Sequence, residues 1–257
     1  MVVVNSASAL GEAIGKLIED EIENTIKPIC VPRGFYYDRG GTRPDKRTGL
    51  KLQMINKSGN LYQLDGVIEN PDGTPIIIIE SKYLRYKKHN RDKASWTCSA
   101  HYSLRKTYPT IRKSIAIISG NWSRPSKKFM QSFGIELYEI PFDFICNTLV
   151  QYGLNFNWPE KDRKIPDISW ARFLNLRPED KREIGVKLLN PVRKDLIESI
   201  KFTLESGEDW AKRINTLELL LTTEMNEYFV YSFTTIREAI QFLLNLQIDD
   251  PEILKKL

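Results

Sequence analysis

The stretch from Tyr62 to Tyr83, YQLDGVIENPDGTPIIIIESKY, holds two acids and a lysine in an order suited to metal-assisted hydrolysis. Two apolar runs flank Asn70-Pro71-Asp72-Gly73-Thr74, residue types that favour a tight turn. A hairpin centred on Asp72 and Gly73 sets Glu69 against Ile76, Val67 against Ile78, and Asp65 against Glu80. Directly opposed residues of antiparallel strands lie about 4.5–5.5 Å apart at Cα. Side chains alternate along a strand, so Glu80 and Lys82 share a face and Ser81 takes the other. Asp65, Glu80 and Lys82 then converge on one patch, and a bulge at Gly66 is the feature that would shift this register. Opposed like charges destabilise a sheet, and burying them at the end of an isoleucine run adds a desolvation cost. A hard divalent cation resolves the conflict, because Mg²⁺ accepts one or two carboxylates and keeps waters for a phosphate-bearing substrate. Mn²⁺ is the expected substitute. Lys82 would position the attacking water, while the cation acidifies it and offsets charge on phosphorus. The competing account, an Asp–Lys–Glu cluster with no metal, leaves one negative charge uncompensated.

Several elements must hold such a patch. Leu10, Ile14, Leu17, Ile18, Ile22 and Ile26 recur at helical steps and predict a helix over Ala7 to Ile29, capped by Ser6 or Ser8 and stopped by Pro28 and Pro32. Pro32 to Gly49 reads as a mobile connection rich in Gly and Arg. Strands are expected over Leu50 to Ile55, Leu61 to Glu69, Pro75 to Tyr83, Ser114 to Ser119 and Ile135 to Ile140, with a helix over Asp92 to Lys106. That order is an α/β sandwich with a mixed sheet. Past Pro159 helices dominate: Pro178 to Leu189, Asn190 to Ser206, an amphipathic Trp210 to Met225, and Thr235 to Leu246, with one strand at Glu227 to Phe233. The division this suggests is a core of residues 1–158 and a mostly helical module of residues 159–257, serving assembly or DNA recognition.

Asp65, a gap across a hairpin, and Glu80-Ser81-Lys82 at the end of an apolar strand resemble the PD-(D/E)xK nuclease superfamily. Its members include type II restriction endonucleases, Holliday-junction resolvases and repair nucleases. Leu64 stands where the name-giving proline would be. The resemblance implies a restriction-endonuclease-like three-layer α/β/α core, with Asp65 and Glu80 as metal ligands and Lys82 assisting the water. Gly15-Lys16-Leu17-Ile18-Glu19 resembles the G-x-x-x-E pattern of the superfamily's first helix, which makes Glu19 the helix acid and Glu12 the alternative. The implied activity is Mg²⁺-dependent hydrolysis of DNA, first of all as a type II restriction endonuclease. Such an enzyme would be a homodimer on double-stranded DNA, alongside a cognate DNA methyltransferase. A resolvase or a repair or mobile-element nuclease comes second. A catalytically inactive DNA-binding or assembly protein on the same fold is the reading from another class.

Charge points to the same substrate. Residues 81–128 hold 13 Lys or Arg against the single acid Asp92, so a chain of net charge +5 is net acidic elsewhere. Uneven charge of this kind suits a polyanion. Arg85, Lys87, Lys88, Arg91 and Lys93 follow the acid–acid–lysine set directly, then Arg105 and Lys106, with Asn121 and Arg124 after a later strand. All nine are candidate DNA contacts. Cys98, His101 and His89 lack a fourth zinc ligand at suitable spacing. No Walker loop or dinucleotide fingerprint occurs. Three scattered cysteines, no basic leader and no membrane-length apolar run imply a cytoplasmic protein.

Overall fold

Five strands form the sheet that carries the candidate site: β1 (Tyr36–Arg39), β4 (Gly66–Glu69), β5 (Pro75–Leu84), β6 (Lys113–Gly120) and β7 (Ile135–Pro141). They lie in the order β1-β4-β5-β6-β7 in a computed structural model that describes residues 5–43, 49–206 and 214–246. The pairs β1/β4 and β4/β5 are antiparallel, and β5/β6 and β6/β7 are parallel. A short turn joins antiparallel strands, whereas a parallel pair needs a crossover. Here α2 (Asn90–Thr107) and α3 (Arg124–Ser132) supply the crossovers and pack together on one face of the sheet. Central β5 is covered on both sides, which is why its isoleucines run without polar alternation.

The other face carries α1 (Ser6–Cys30), α4 (Phe142–Val150), α5 (Lys164–Leu174) and α6 (Pro178–Glu205). The apolar stripe of α1 is buried at Leu10, Ile14, Ile18, Ile22 and Ile26. Asn5 caps this helix, its Oδ1 accepting from Ser8 N at 3.4 Å, in place of the serines expected there. Pro28 does not stop it: the helix runs to Cys30, and Pro32 opens a 3₁₀ turn instead. α6 passes through Pro191 as one helix where two were expected. It lies so close to α1 that a Cβ on Gly185 would stand 2.8 Å from Leu17 O.

Contacts divide the chain at Glu205/Ser206, with α5 and α6 in the sheet's own unit, whereas the sequence reading sets its boundary after residue 158. The physical reason is the core: Phe173, Ile184, Leu188, Leu196 and Ile200 are buried with the α1 stripe. The second unit, by itself, is a hairpin of β8 (Leu217–Thr222) and β9 (Tyr228–Phe233) with α7 (Ile236–Asn245). Leu217 to Thr222 was expected to be helical; its burial alternates residue by residue, as a strand's does. Residues 210–213 of that expected helix lie outside the described residues. Four further elements were not expected: β1, placed within the presumed mobile connection, and the helices α3, α4 and α5. A small hairpin of β2 (Gln53–Ile55) and β3 (Leu61–Gln63) completes the first unit. Among the described residues no helix is long and apolar enough to cross a membrane.

Candidate active site

The turn between β4 and β5 sets the geometry. Asn70 Oδ1 and Asp72 Oδ1 each accept from Thr74 N at 2.8 Å, and Gly73 adopts φ 86°, a conformation that glycine takes at no steric cost. Gly66 pairs with Ile79, Val67 with Ile78 and Ile68 with Ile77, the expected register. Glu69 pairs with Pro75 and not Ile76, because the irregularity lies at Ile68/Glu69 and not at Gly66. Gly66 is required for another reason: a Cβ there would meet the Tyr37 hydroxyl at 2.5 Å. β4 begins at Gly66, so β5 runs on past its neighbour and the chain bends at Asp65.

At that opening the three residues converge. Asp65 Oδ2 accepts from Ser81 N at 2.8 Å, so a carboxylate takes over where the ladder ends. Lys82 Nζ reaches Asp65 Oδ2 at 2.8 Å and Glu80 Oε1 at 2.7 Å. Glu80 is 2% exposed, and its Oε2 is buried with no hydrogen-bond partner among the described residues. Burial, then repulsion from Asp65, pushes the Glu80 carboxyl up to about 7, against the pull of Lys82. Burial alone would lower Lys82, but Glu80 and Asp65 more than offset it and hold the ammonium above the usual lysine range. The two acids thus favour the charged, proton-donating form of Lys82.

Glu19 joins this field from α1. Burial and then Asp65 raise its carboxyl, while Arg39 and Lys82 oppose the rise. It lines a cleft of about 350 Å³ with Gly11, Gly15, Ser81 and Tyr83, and the exposed Glu12 lines the same cleft further along the helix. On the α2 side His101 is buried, its ring nitrogens without partners among the described residues. Burial, then Lys82, lowers its imidazole to about 3. The sequence reading weighed His101 only for zinc; a buried position at a helical step from Ala94, Thr97 and Leu104 was the available signal.

The basic block separates into two kinds. Arg85 turns inward: its guanidinium donates to Phe156 O at 2.6 Å and Trp158 O at 2.9 Å and lies 3.6 Å from the Trp158 ring centroid. Asn121 ties loops together, donating to Arg85 O at 2.7 Å and accepting through its own carbonyl from Asn90 at 2.9 Å. Both have architectural contacts in place of the phosphate contacts expected of them. Arg91, Lys93 and Arg124 are exposed. Lys88 is exposed but pairs with Glu160 at 2.5 Å, Arg105 donates to Phe133 O at 3.2 Å, and Lys106 lies over the Tyr102 ring. The side chain of Lys87 lies outside what the structure describes.

No family model and no curated protein matches the chain. Among solved structures it is similar to the crystal structure of a protein of unknown function, AF1548, at 13% identity. The match covers 73% of this chain and 99% of that one with a TM-score of 0.33, a likeness too slight to bear on fold or activity.

Proposed function

We propose that the chain is a Mg²⁺-dependent DNA endonuclease with a restriction-endonuclease-like core, acting as a type II restriction enzyme. The observation that carries this reading is Glu80: a buried carboxyl with one oxygen unpartnered among the described residues, beside Asp65, with Lys82 bridged to both acids. A buried charge is costly unless it is paired or coordinates a metal. Among the described residues no three or more His, Cys, Asp or Glu gather into a metal cage. Mg²⁺ needs none, since one or two carboxylates and waters satisfy it. Asp65 and Glu80 offer only hard oxygen donors, and Glu80 Oε2 has no partner among the described residues. The site therefore fits Mg²⁺, with Mn²⁺ as substitute.

When bound, the ion would supply Lewis-acid stabilisation of a phosphoryl oxygen and a more acidic attacking water. The chain's own residues do the rest. Asp65 is fixed in place by Ser81 N, and Lys82 by both carboxylates. Lys82, bridged to both carboxylates, would orient a water or a phosphate oxygen beside an ion that Asp65 and Glu80 would hold. Glu19, in the field of Asp65 and Lys82, would add a negative group able to orient a water there. Exposed Arg91, Lys93 and Arg124 contact phosphates, which supply affinity and register without reading sequence. A homodimer would pair two such sites for two strands of a symmetric site, and a methyltransferase would protect the host's copies.

The test is incubation of the full chain with plasmid DNA and with branched duplexes in Mg²⁺, and sequencing of the product ends. Discrete plasmid fragments are expected. Cutting of branched DNA alone would make it a resolvase, and binding without cutting in either metal an inactive DNA-binding protein.

A further inference from the structure

We infer that the β2–β3 hairpin is a base-reading ribbon that enters the major groove beside the scissile phosphate and selects A·T pairs. This rests on the nuclease reading above and names how that site chooses its DNA. Gln53 pairs with Gln63 and Ile55 with Leu61, so these four side chains share one face. All four are exposed, Ile55 at 49% and Leu61 at 59%. The opposite face, with Leu52, Met54 and Tyr62, is packed in a core with Leu104 of α2.

The ribbon is braced against α2, and from β3 the chain passes through Leu64 to the bend at Asp65. Asn56 Nδ2 donates to Ser103 Oγ at 2.6 Å, Lys57 N to Thr107 Oγ1 at 3.0 Å, and the Tyr108 hydroxyl to Ile55 O at 2.9 Å. Leu64 N donates to Leu52 O at 3.0 Å, carrying the ladder one step past β3. Burial alternates from Leu61 through a buried Tyr62, an exposed Gln63 and a buried Leu64 to a half-buried Asp65. Leu61 and Gln63 therefore fall on the exposed side, four and two residues before the bend at Asp65. With about 3.3 Å per strand residue, Gln63 lies roughly 7 Å and Leu61 roughly 13 Å along the chain from the metal-site acid. Duplex DNA rises about 3.4 Å per base pair, so the two rows fall about two and four base pairs from the cut.

The chemistry of the face matches that groove. A two-stranded ribbon fits the major groove, Gln bonds adenine N6 and N7 through both amide atoms, and aliphatic side chains contact the thymine methyl. Residues 49–64 contain two lysines and no acid, as a surface against phosphates requires. A glutamine pair beside an exposed aliphatic pair on a braced ribbon has no use in the core of this unit, because the face buries nothing.

The experiment uses the full chain, a duplex library with a randomised segment, and Mg²⁺. Cut ends are sequenced for wild type, for Gln53→Ala with Gln63→Ala, and for Ile55→Ser with Leu61→Ser. The fraction bound in Ca²⁺ is sequenced in parallel, so that a slow variant still reports. Wild-type ends should be enriched in A·T pairs within about four base pairs of the cut, and the glutamine variant should lose about tenfold or more of that discrimination. The aliphatic variant should lose only its thymine preference in the outer row. A wild type that cuts without this preference, or a glutamine variant with an unchanged one, overturns the ribbon and leaves the nuclease reading standing. A wild type that neither cuts nor binds the library overturns both.

Discussion

Glu21 on α1 and Glu80 on β5 are both buried carboxylates facing a cation, and they differ in how the charge is closed. Glu21 meets Arg193 of α6 at 2.5 Å, and the same guanidinium donates to Thr25 Oγ1 at 3.0 Å. One acid faces one base, and neither side chain leaves a buried polar atom without a partner among the described residues. At β5 two acids share one lysine, and Glu80 keeps an oxygen with nothing to bind. An ion pair that serves architecture balances itself inside the protein. A cluster with two acids to one base, and with an acid oxygen unpartnered among the described residues, leaves a place for a group from outside, which is why the second is read as the site and the first as a tie between helices.

The largest effects should separate these two clusters. Asp65→Ala, Glu80→Gln and Lys82→Met should each lower cleavage at least about a thousandfold, the scale of losing preorganised electrostatic stabilisation. Glu80→Gln should also raise the melting temperature of the metal-free protein, and Mg²⁺ should no longer stabilise it against unfolding. Glu21→Gln should do the reverse, keeping the cleavage rate while costing roughly 1–3 kcal/mol in urea unfolding. Near-normal cutting by any of the three β5 variants would remove that residue from the site.

Next comes Glu19→Gln, expected to slow cleavage about 10–100-fold, as for groups that orient a metal's ligands or waters. If Glu12→Gln is the slow variant and Glu19→Gln is not, the helix acid is one α-helical stretch nearer the N-terminus. The same contrast runs through the basic block. Arg91→Ala with Lys93→Ala should flatten the slope of log affinity against log salt by up to about two units. Arg85→Ala should leave that slope alone and lower stability, since its charge is spent on Phe156 O, Trp158 O and the indole face. Equal slopes for all three proteins would make Arg91 and Lys93 a solvated surface.

The smallest effect concerns His101. Its folded pKa of about 3 lies below the ordinary value of 6.5, so burial of the neutral ring contributes stability that is complete above pH 6.5. That contribution is lost as pH falls toward 3. His101→Phe should therefore gain on wild type progressively in unfolding titrations at pH 7, 5 and 4, with little change in cleavage at pH 8. A constant difference across that range would place the neutral ring's cost elsewhere.

Much of the site was legible because it rests on local rules. Turn residues at 70–74 set the register at Gly66/Ile79, Val67/Ile78 and Ile68/Ile77, and alternation along β5 puts Glu80 and Lys82 together. Helical spacing marked the α1 stripe. These patterns depend on neighbours within a few residues, so the amino-acid order alone determines them. Elements with weak local signals were missed: β1 is four residues long, and α3 starts from a Ser123 cap and a Pro125 first turn inside a charged stretch. Only the tertiary structure decided which charges face inward. Trp158 receives Arg85, Arg193 arrives at Glu21 from 172 positions away, and Tyr37 comes down over Gly66. It likewise decided that, among the described residues, Glu80 Oε2 finds no partner and the glutamine face of the β2–β3 ribbon is exposed. Whether a polar atom finds a partner depends on what distant chain packs against it, and no spacing along the sequence encodes that.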